Sequence, residues 1–133
     1  MKVYLAAQYS WRDRLKIHAK ALEKLGFEIT ASWLHERKPL QVDLNDLSDR
    51  FNREHAQIDL DDIRRSDWVV SFTVDPTSTT KRGGRHVEFG LGYALGKRMV
   101  VCGPHENIFH YLEGVLQFDT FDDLLPFFRG LAK

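Results

Sequence analysis

The chain has a single cysteine, no surplus of either charge and no long apolar run, and each of these shortages removes a class of protein. Cys102 alone forms no internal disulfide, so the fold must rest on a packed core, and a reduced, cytoplasmic setting fits. Lys plus Arg number 19 and Asp plus Glu number 19, which argues against a dedicated nucleic-acid binder. No stretch reaches the roughly 20 apolar residues of a membrane span, and the chain opens on strand-like residues rather than a signal peptide. The expectation is one domain over residues 1–133, without a nucleic-acid or membrane partner. A hydrophobic content of 43% is enough for a real core at this length.

Periodicity supplies the elements. Lys2 to Ala7 is a short apolar strand, and Ser10 with Asp13 makes a capping-box-like helix start. Leu15, Ala19 and Leu22 fall at helical spacing, and Gly26 stops that helix. Phe27 to Ser32 reads as a second strand, and Trp33 to Asn45, with Pro39, as a long loop. From about Asp46 to Arg65 a helix places Leu47, Phe51, Ile58 and Ile63 on one face. His55, Asp59 and Asp62 share that face. Asp67 to Thr73 has the continuous apolar centre of a covered parallel strand. A polar loop from Val74 to Arg82 precedes a helix over Gly84 to Gly96. Arg98 to Cys102, a short helical segment near Asn107 to Leu112, Val115 to Phe118, and a helix from Phe121 capped by Thr120 complete the chain. Alternation of this kind predicts an α/β, flavodoxin-like three-layer sandwich with a five-stranded parallel sheet in the order 2-1-3-4-5. Ligands then bind beyond the carboxyl ends of the strands.

Several motifs fail on inspection. Gly90-Leu91-Gly92-Tyr93-Ala94-Leu95-Gly96 has the wrong spacing for a dinucleotide fingerprint and lies within a helix. Its glycines read instead as positions where the helix approaches the sheet. In His105-Glu106-Asn107-Ile108-Phe109-His110 the histidines diverge by about 140° around a helix, too far for one metal. Serine-hydrolase and phosphate-loop motifs are absent. No metal and no organic cofactor is called for.

The stretch Lys81-Arg82-Gly83-Gly84-Arg85-His86-Val87-Glu88-Phe89-Gly90 survives this filter. It gathers cations at a helix start, where the backbone dipole already favours anions. It also sets one carboxylate, Glu88, on the side of Leu91, Gly92 and Leu95. With Asp59, Asp62 and Tyr4 converging on the same end of the sheet, two carboxylates and a tyrosine suit glycosidic chemistry. One carboxylate attacks the anomeric carbon and the other manages the leaving group's proton.

Three segments together resemble the nucleoside 2-deoxyribosyltransferase family, which includes the 2′-deoxynucleoside 5′-phosphate N-hydrolases. They are Lys2 to Ala7, Asp59-Leu60-Asp61-Asp62-Ile63-Arg64-Arg65-Ser66-Asp67-Trp68-Val69-Val70, and Gly84 to Gly90. The resemblance covers essentially the whole chain. It implies that Glu88 is a nucleophile forming a covalent deoxyribosyl intermediate, that Tyr4 positions it, and that Asp59 contacts the base and assists its departure. Asn107 lies in a segment similar to one that some members donate to a neighbouring subunit, which implies a homodimer or larger assembly.

One departure bears on the substrate. Where the transferases carry an acidic residue that binds the free 5′-hydroxyl, this chain has Arg82. Lys81, Arg82, Arg85 and the backbone N–H groups from Gly84 onward suit a phosphate. Ser10 is a further anion contact, and Ser78, Thr79 and Thr80 are near. Trp33 is placed either to stack on a base or to pack; Trp11 and Trp68 read as core. His86 and His110 line the pocket or serve structure. The expected activity is cleavage of the N-glycosidic bond of a 2′-deoxynucleoside 5′-monophosphate. Base exchange between deoxynucleosides and a non-catalytic nucleotide sensor are the alternatives.

Overall fold

The computed structural model describes residues 1–35, 49–75, 77 and 83–133. Five strands form one parallel sheet: β1 (Lys2–Ala6), β2 (Glu28–Ile29), β3 (Trp68–Phe72), β4 (Arg98–Cys102) and β5 (Leu116–Phe118). Their spatial order is β2-β1-β3-β4-β5, as the alternating pattern predicts. Among the described residues, four α-helices cover them: α1 (Arg12–Lys24), α2 (Asp49–Arg65), α3 (Gly84–Ala94) and α4 (Phe121–Leu131). α1 packs against α4, and α2 against α3.

The central strands explain their own composition. All five residues of β3 are buried, as are Val3 to Ala6 of β1. A parallel strand with helices on both sides has no wet face, so it reads as an apolar run rather than an alternation. Side chains from both faces, including Leu5, Leu15, Leu22, Ile63, Leu124 and Phe128, are fully excluded from solvent. Tyr4 lies opposite Val69 in the β1–β3 register, and Ala6 opposite Ser71.

Some details differ from the sequence reading. The predicted second strand shrinks to Glu28–Ile29, because the chain turns into a 3-10 helix at Ser32–His35. Asp62 causes that turn: its Oδ2 accepts from Ser32 N at 3.0 Å and from Ser32 Oγ at 2.5 Å. Nor does Ser10 cap α1. Gln8 C=O takes the Trp11 N–H at 3.0 Å, closing a 3-10 turn over Tyr9–Trp11, and α1 starts only at Arg12 without a side-chain cap. Ile58, placed by period on the apolar face of α2, is 40% exposed, while Ile63 is fully buried. Leu47 lies outside the described residues.

Two glycines carry conformations or contacts that other residues would not. Gly26 ends α1 at φ 98°, in the left-handed region. Gly92 lies where α3 crosses the sheet, and a Cβ there would fall 2.8 Å from Val69 Cγ2 and 3.2 Å from Met99 Sδ. That close approach is the packing role expected for this glycine.

Candidate active site

The approach of α3 to the sheet sets up the site. Glu88 lies one helical turn before Gly92 on α3, and Tyr4 is next to Val69 on the neighbouring strand. Tyr4 Oη donates a hydrogen bond to Glu88 Oε2, joining residues 84 positions apart in the sequence. Tyr4 has no exposed surface, so its hydroxyl is held in place by the core that surrounds its ring.

Burial dominates the protonation of this pair. Desolvation pushes the Glu88 carboxyl from its ordinary 4.5 up to about 8; the Tyr4 hydrogen bond opposes the rise, and the charge of Asp59 adds to it. The Tyr4 hydroxyl moves well above its ordinary value, first through desolvation and then through the charges of Glu88 and Asp59. The charge of Asp59 on α2 thus acts on both Tyr4 of β1 and Glu88 of α3. Tyr4 stays a donor at any physiological pH, and Glu88 gains a proton more readily than an exposed glutamate.

Asp62, on the same helix as Asp59, has a different task. It is 4% exposed, and Arg65 Nη2 donates to its Oδ1 at 2.7 Å while Ser32 occupies Oδ2. A buried carboxylate must be paired and hydrogen-bonded, and Asp62 is both. It clamps the turn after β2 to α2.

Several of the residues expected at the site have partners within the fold. Arg85, expected to hold a 5′ anion, is 4% exposed and turned into the protein. Its Nη2 donates to Glu106 Oε1 at 2.6 Å and its Nε to Oε2 at 3.3 Å. Gly84 is exposed and opens α3 behind Gly83, which provides no side-chain cap. The N–H groups of that first turn therefore have no side-chain acceptor at the cap position. Trp33 is 7% exposed, and its Nε1 donates to Leu5 C=O at 2.8 Å; of its two readings, packing is the one its burial supports. Ser10 is exposed in the turn after β1. Arg82, Lys81, Ser78, Thr79 and Thr80 lie outside the described residues.

Asn107 and His110 are brought together with His86. Asn107 Oδ1 accepts from Phe109 N at 2.9 Å, capping the 3-10 turn Ile108–Tyr111, and its Nδ2 donates to His86 Nδ1 at 3.3 Å. His110 is 1% exposed and packs edge-on against Phe89, with ring centroids 5.0 Å apart. Its Nδ1 accepts from Glu106 N at 3.0 Å. Burial chiefly, then His86, lowers its pKa to about 4, so it stays neutral.

Sequence reasoning missed Glu106. Besides pairing with Arg85, its Oε2 accepts from Val74 N at 3.2 Å, and its own N–H is the donor to His110. One carboxylate thus ties the end of β3, the first turn of α3 and the segment after β4. The available signal was the excess of cations at the start of α3, which asks for a counter-charge elsewhere in the chain. Among the described residues, no group of three His, Cys, Asp or Glu side chains could hold a metal ion. No described helix is long and apolar enough to cross a membrane.

No family model and no curated protein sequence matches the chain. Solved structures do. A structure titled as the CMP N-glycosidase BcmB of Clostridium botulinum superposes with a TM-score of 0.62 at 19% identity, over 95% of this chain and 96% of that one. A 2-deoxyribosyltransferase from Bacillus psychrosaccharolyticus gives a TM-score of 0.67 at 22% identity, over 94% and 90%. A conserved protein from Enterococcus faecalis V583 gives 0.65 at 18%, over 98% of each chain. The chain therefore shares the α/β fold of these structures along essentially its whole length.

Proposed function

We propose that the protein cleaves the N-glycosidic bond of a 2′-deoxynucleoside 5′-monophosphate. The observation that carries this reading is the Tyr4–Glu88 hydrogen bond, with the Glu88 carboxyl desolvated and within reach of the Asp59 charge. Two proteins of the same fold, a CMP N-glycosidase and a 2-deoxyribosyltransferase, are named for chemistry at that bond.

In this mechanism the Glu88 carboxylate attacks C1′, and the electron pair of the C1′–N bond leaves with the base. Asp59 supplies or relays the proton that the departing base nitrogen takes up. Positive charge develops on the sugar in the transition state, which favours the ionised form of Glu88 at the moment it is needed. Tyr4 Oη holds one carboxylate oxygen and leaves the other to form the ester. Water then attacks C1′, releasing the sugar phosphate and restoring Glu88. Transfer to a second base is the alternative fate of the same ester, and the likeness to a 2-deoxyribosyltransferase favours keeping it in view.

Support for the 5′-phosphate is the α3 N-terminus without a side-chain cap, together with the nucleotide named for BcmB. Arg85 pairs with Glu106, so this reading does not rely on it. For assembly, we read the face formed by Val87, Tyr93, Ile108, Phe109 and Leu112 as the contact between two copies. These side chains are 37–77% exposed. Tyr93, Phe109 and Leu112 line a cavity of about 310 Å³ together with His86, Phe89, Gly90 and Asn107, so a second copy here would meet residues on either side of Glu88 in the sequence.

The test is a panel of nucleosides and 5′-monophosphates, ribo and deoxy, with and without an acceptor base, followed by chromatography of released base. Monophosphate cleavage by wild type and none by Glu88→Ala supports the reading. Cleavage of free nucleosides alone removes the phosphate part, and no release from any substrate removes the glycosidic part. Light scattering of wild type and Phe109→Glu checks the dimer.

A further inference from the structure

Gln8 follows β1 by two residues and has extended backbone, φ −63° and ψ 143°. Val69 faces α3, as its contact with Gly92 requires, and Tyr4 is its register partner on that same face. Alternation along an extended chain then puts Ala6 and Gln8 on the face of Tyr4. Ala6 contributes only a methyl group. Tyr4 and Ala6 are fully buried, and Gln8 lies beyond them at a Cα span of about 13 Å from Tyr4, at ~3.3 Å per residue. A sugar seated against Glu88 would direct its base along that span.

The Gln8 carboxamide has a polar atom that the fold leaves unused. Its Oε1 is buried and, among the described residues, has no hydrogen-bond partner. The backbone of Gln8 is occupied, since its carbonyl closes the turn to Trp11; the side-chain oxygen serves no fold contact that would account for it. A buried carbonyl left without a donor is unfavourable, and a site built to hydrogen-bond a substrate group is where such an acceptor is retained. A carboxamide offers one acceptor and one donor in a plane, the pattern that nucleobase edges present. The substituent that reaches farthest from C1′ is the exocyclic one. An amino group there would donate to Oε1, whereas an oxo group would set two acceptors against each other.

We propose that Gln8 is the specificity-determining residue for the base, with Oε1 accepting from an exocyclic amino group and Nε2 facing the ring acceptor beside it. This rests on the glycosidic reading of Glu88 and adds the base class: an amino-bearing base such as cytosine or adenine, in preference to uracil. Gln8 is a recognition residue and does not touch the reacting atoms.

The experiment compares wild type, Gln8→Leu and Gln8→Glu on dCMP and dUMP. Wild type should favour dCMP. In Q8L, kcat/KM for dCMP should fall tenfold or more while dUMP stays within about threefold, so that the preference collapses. In Q8E, which keeps an acceptor, the preference for dCMP should persist. A Q8L enzyme that loses both substrates equally, or keeps the wild-type ratio, overturns the proposal. If wild type releases no base at all, the reading of Glu88 fails separately, and calorimetric titration of wild type and Q8L with the two monophosphates decides Gln8. An unchanged ratio of affinities there rejects it, and a collapsed ratio sustains it.

Discussion

Glu88→Gln should stabilise the protein, and by an amount that depends on pH. Gln keeps an acceptor for Tyr4 Oη and nearly the same volume, so the substitution removes charge and little else. In wild type the folded state holds the Glu88 proton up to about pH 8, while the unfolded chain releases it near 4.5. Below 4.5 both states are protonated and the group contributes nothing to the pH dependence. Between those values the folded state binds more protons than the unfolded state, so stability falls as pH rises. Above 8 the folded protein carries a buried anion and the penalty is complete. The rise from 4.5 to about 8 sets a ceiling of about 5 kcal/mol at ~1.36 kcal/mol per pH unit. Partial exposure and relaxation around the carboxylate reduce the expected value to about 2–3 kcal/mol. For a domain of this size that is a rise in Tm of about 10 °C at pH 9. Urea and thermal unfolding of wild type and E88Q at pH 4, 7 and 9 read the difference, and contributions common to both proteins cancel. Equal stability of the two proteins at pH 9, or a gap that does not grow with pH, would refute the burial argument for Glu88.

Three other substitutions probe the rest of the arrangement. Tyr4→Phe deletes the hydrogen bond that holds the Glu88 pKa down; the rising limb of kcat/KM against pH should move to higher pH, with activity at neutrality reduced at least about tenfold, as a pH–rate profile would show. Glu106→Ala removes the buried carboxylate shared by the Arg85 guanidinium and the Val74 N–H, and a loss of about 3–5 kcal/mol is expected in chemical denaturation. Gly92→Ala forces a methyl against Val69 Cγ2 at 2.8 Å; it should cost about 1–3 kcal/mol, and Val69→Ala in the same chain should recover part of the loss, both read as shifts in denaturation midpoint.

The order of elements and the sheet were legible in the chain because they rest on local pattern. The apolar run of β3, the spacing of Leu15, Ala19 and Leu22 on α1, and the Thr120 cap of α4 each repeat within a few residues. Parallel strands joined through helices then leave few topologies open. Tyr4, Asp59 and Glu88 also stood out, since a carboxylate or hydroxyl on an apolar face needs a partner or a task. What each polar group actually meets was another matter. Asp59 and Asp62 share a helical face and look alike in sequence, yet one lies beside Tyr4 and Glu88 and the other clamps Ser32 and Arg65. Arg85 looked like an anion ligand because its counter-charge, Glu106, is 21 residues away on a different segment. Pairing across such distances depends on how close α3 lies to the sheet and where the chain after β4 returns, and no periodicity encodes either. Local pattern is enough to lay down the layers and to single out Tyr4, Asp59 and Glu88; tertiary packing alone sets that Glu88 is desolvated against Tyr4, that Asp62 pairs with Arg65, and that polar atoms such as Gln8 Oε1 are buried without a hydrogen-bond partner among the described residues.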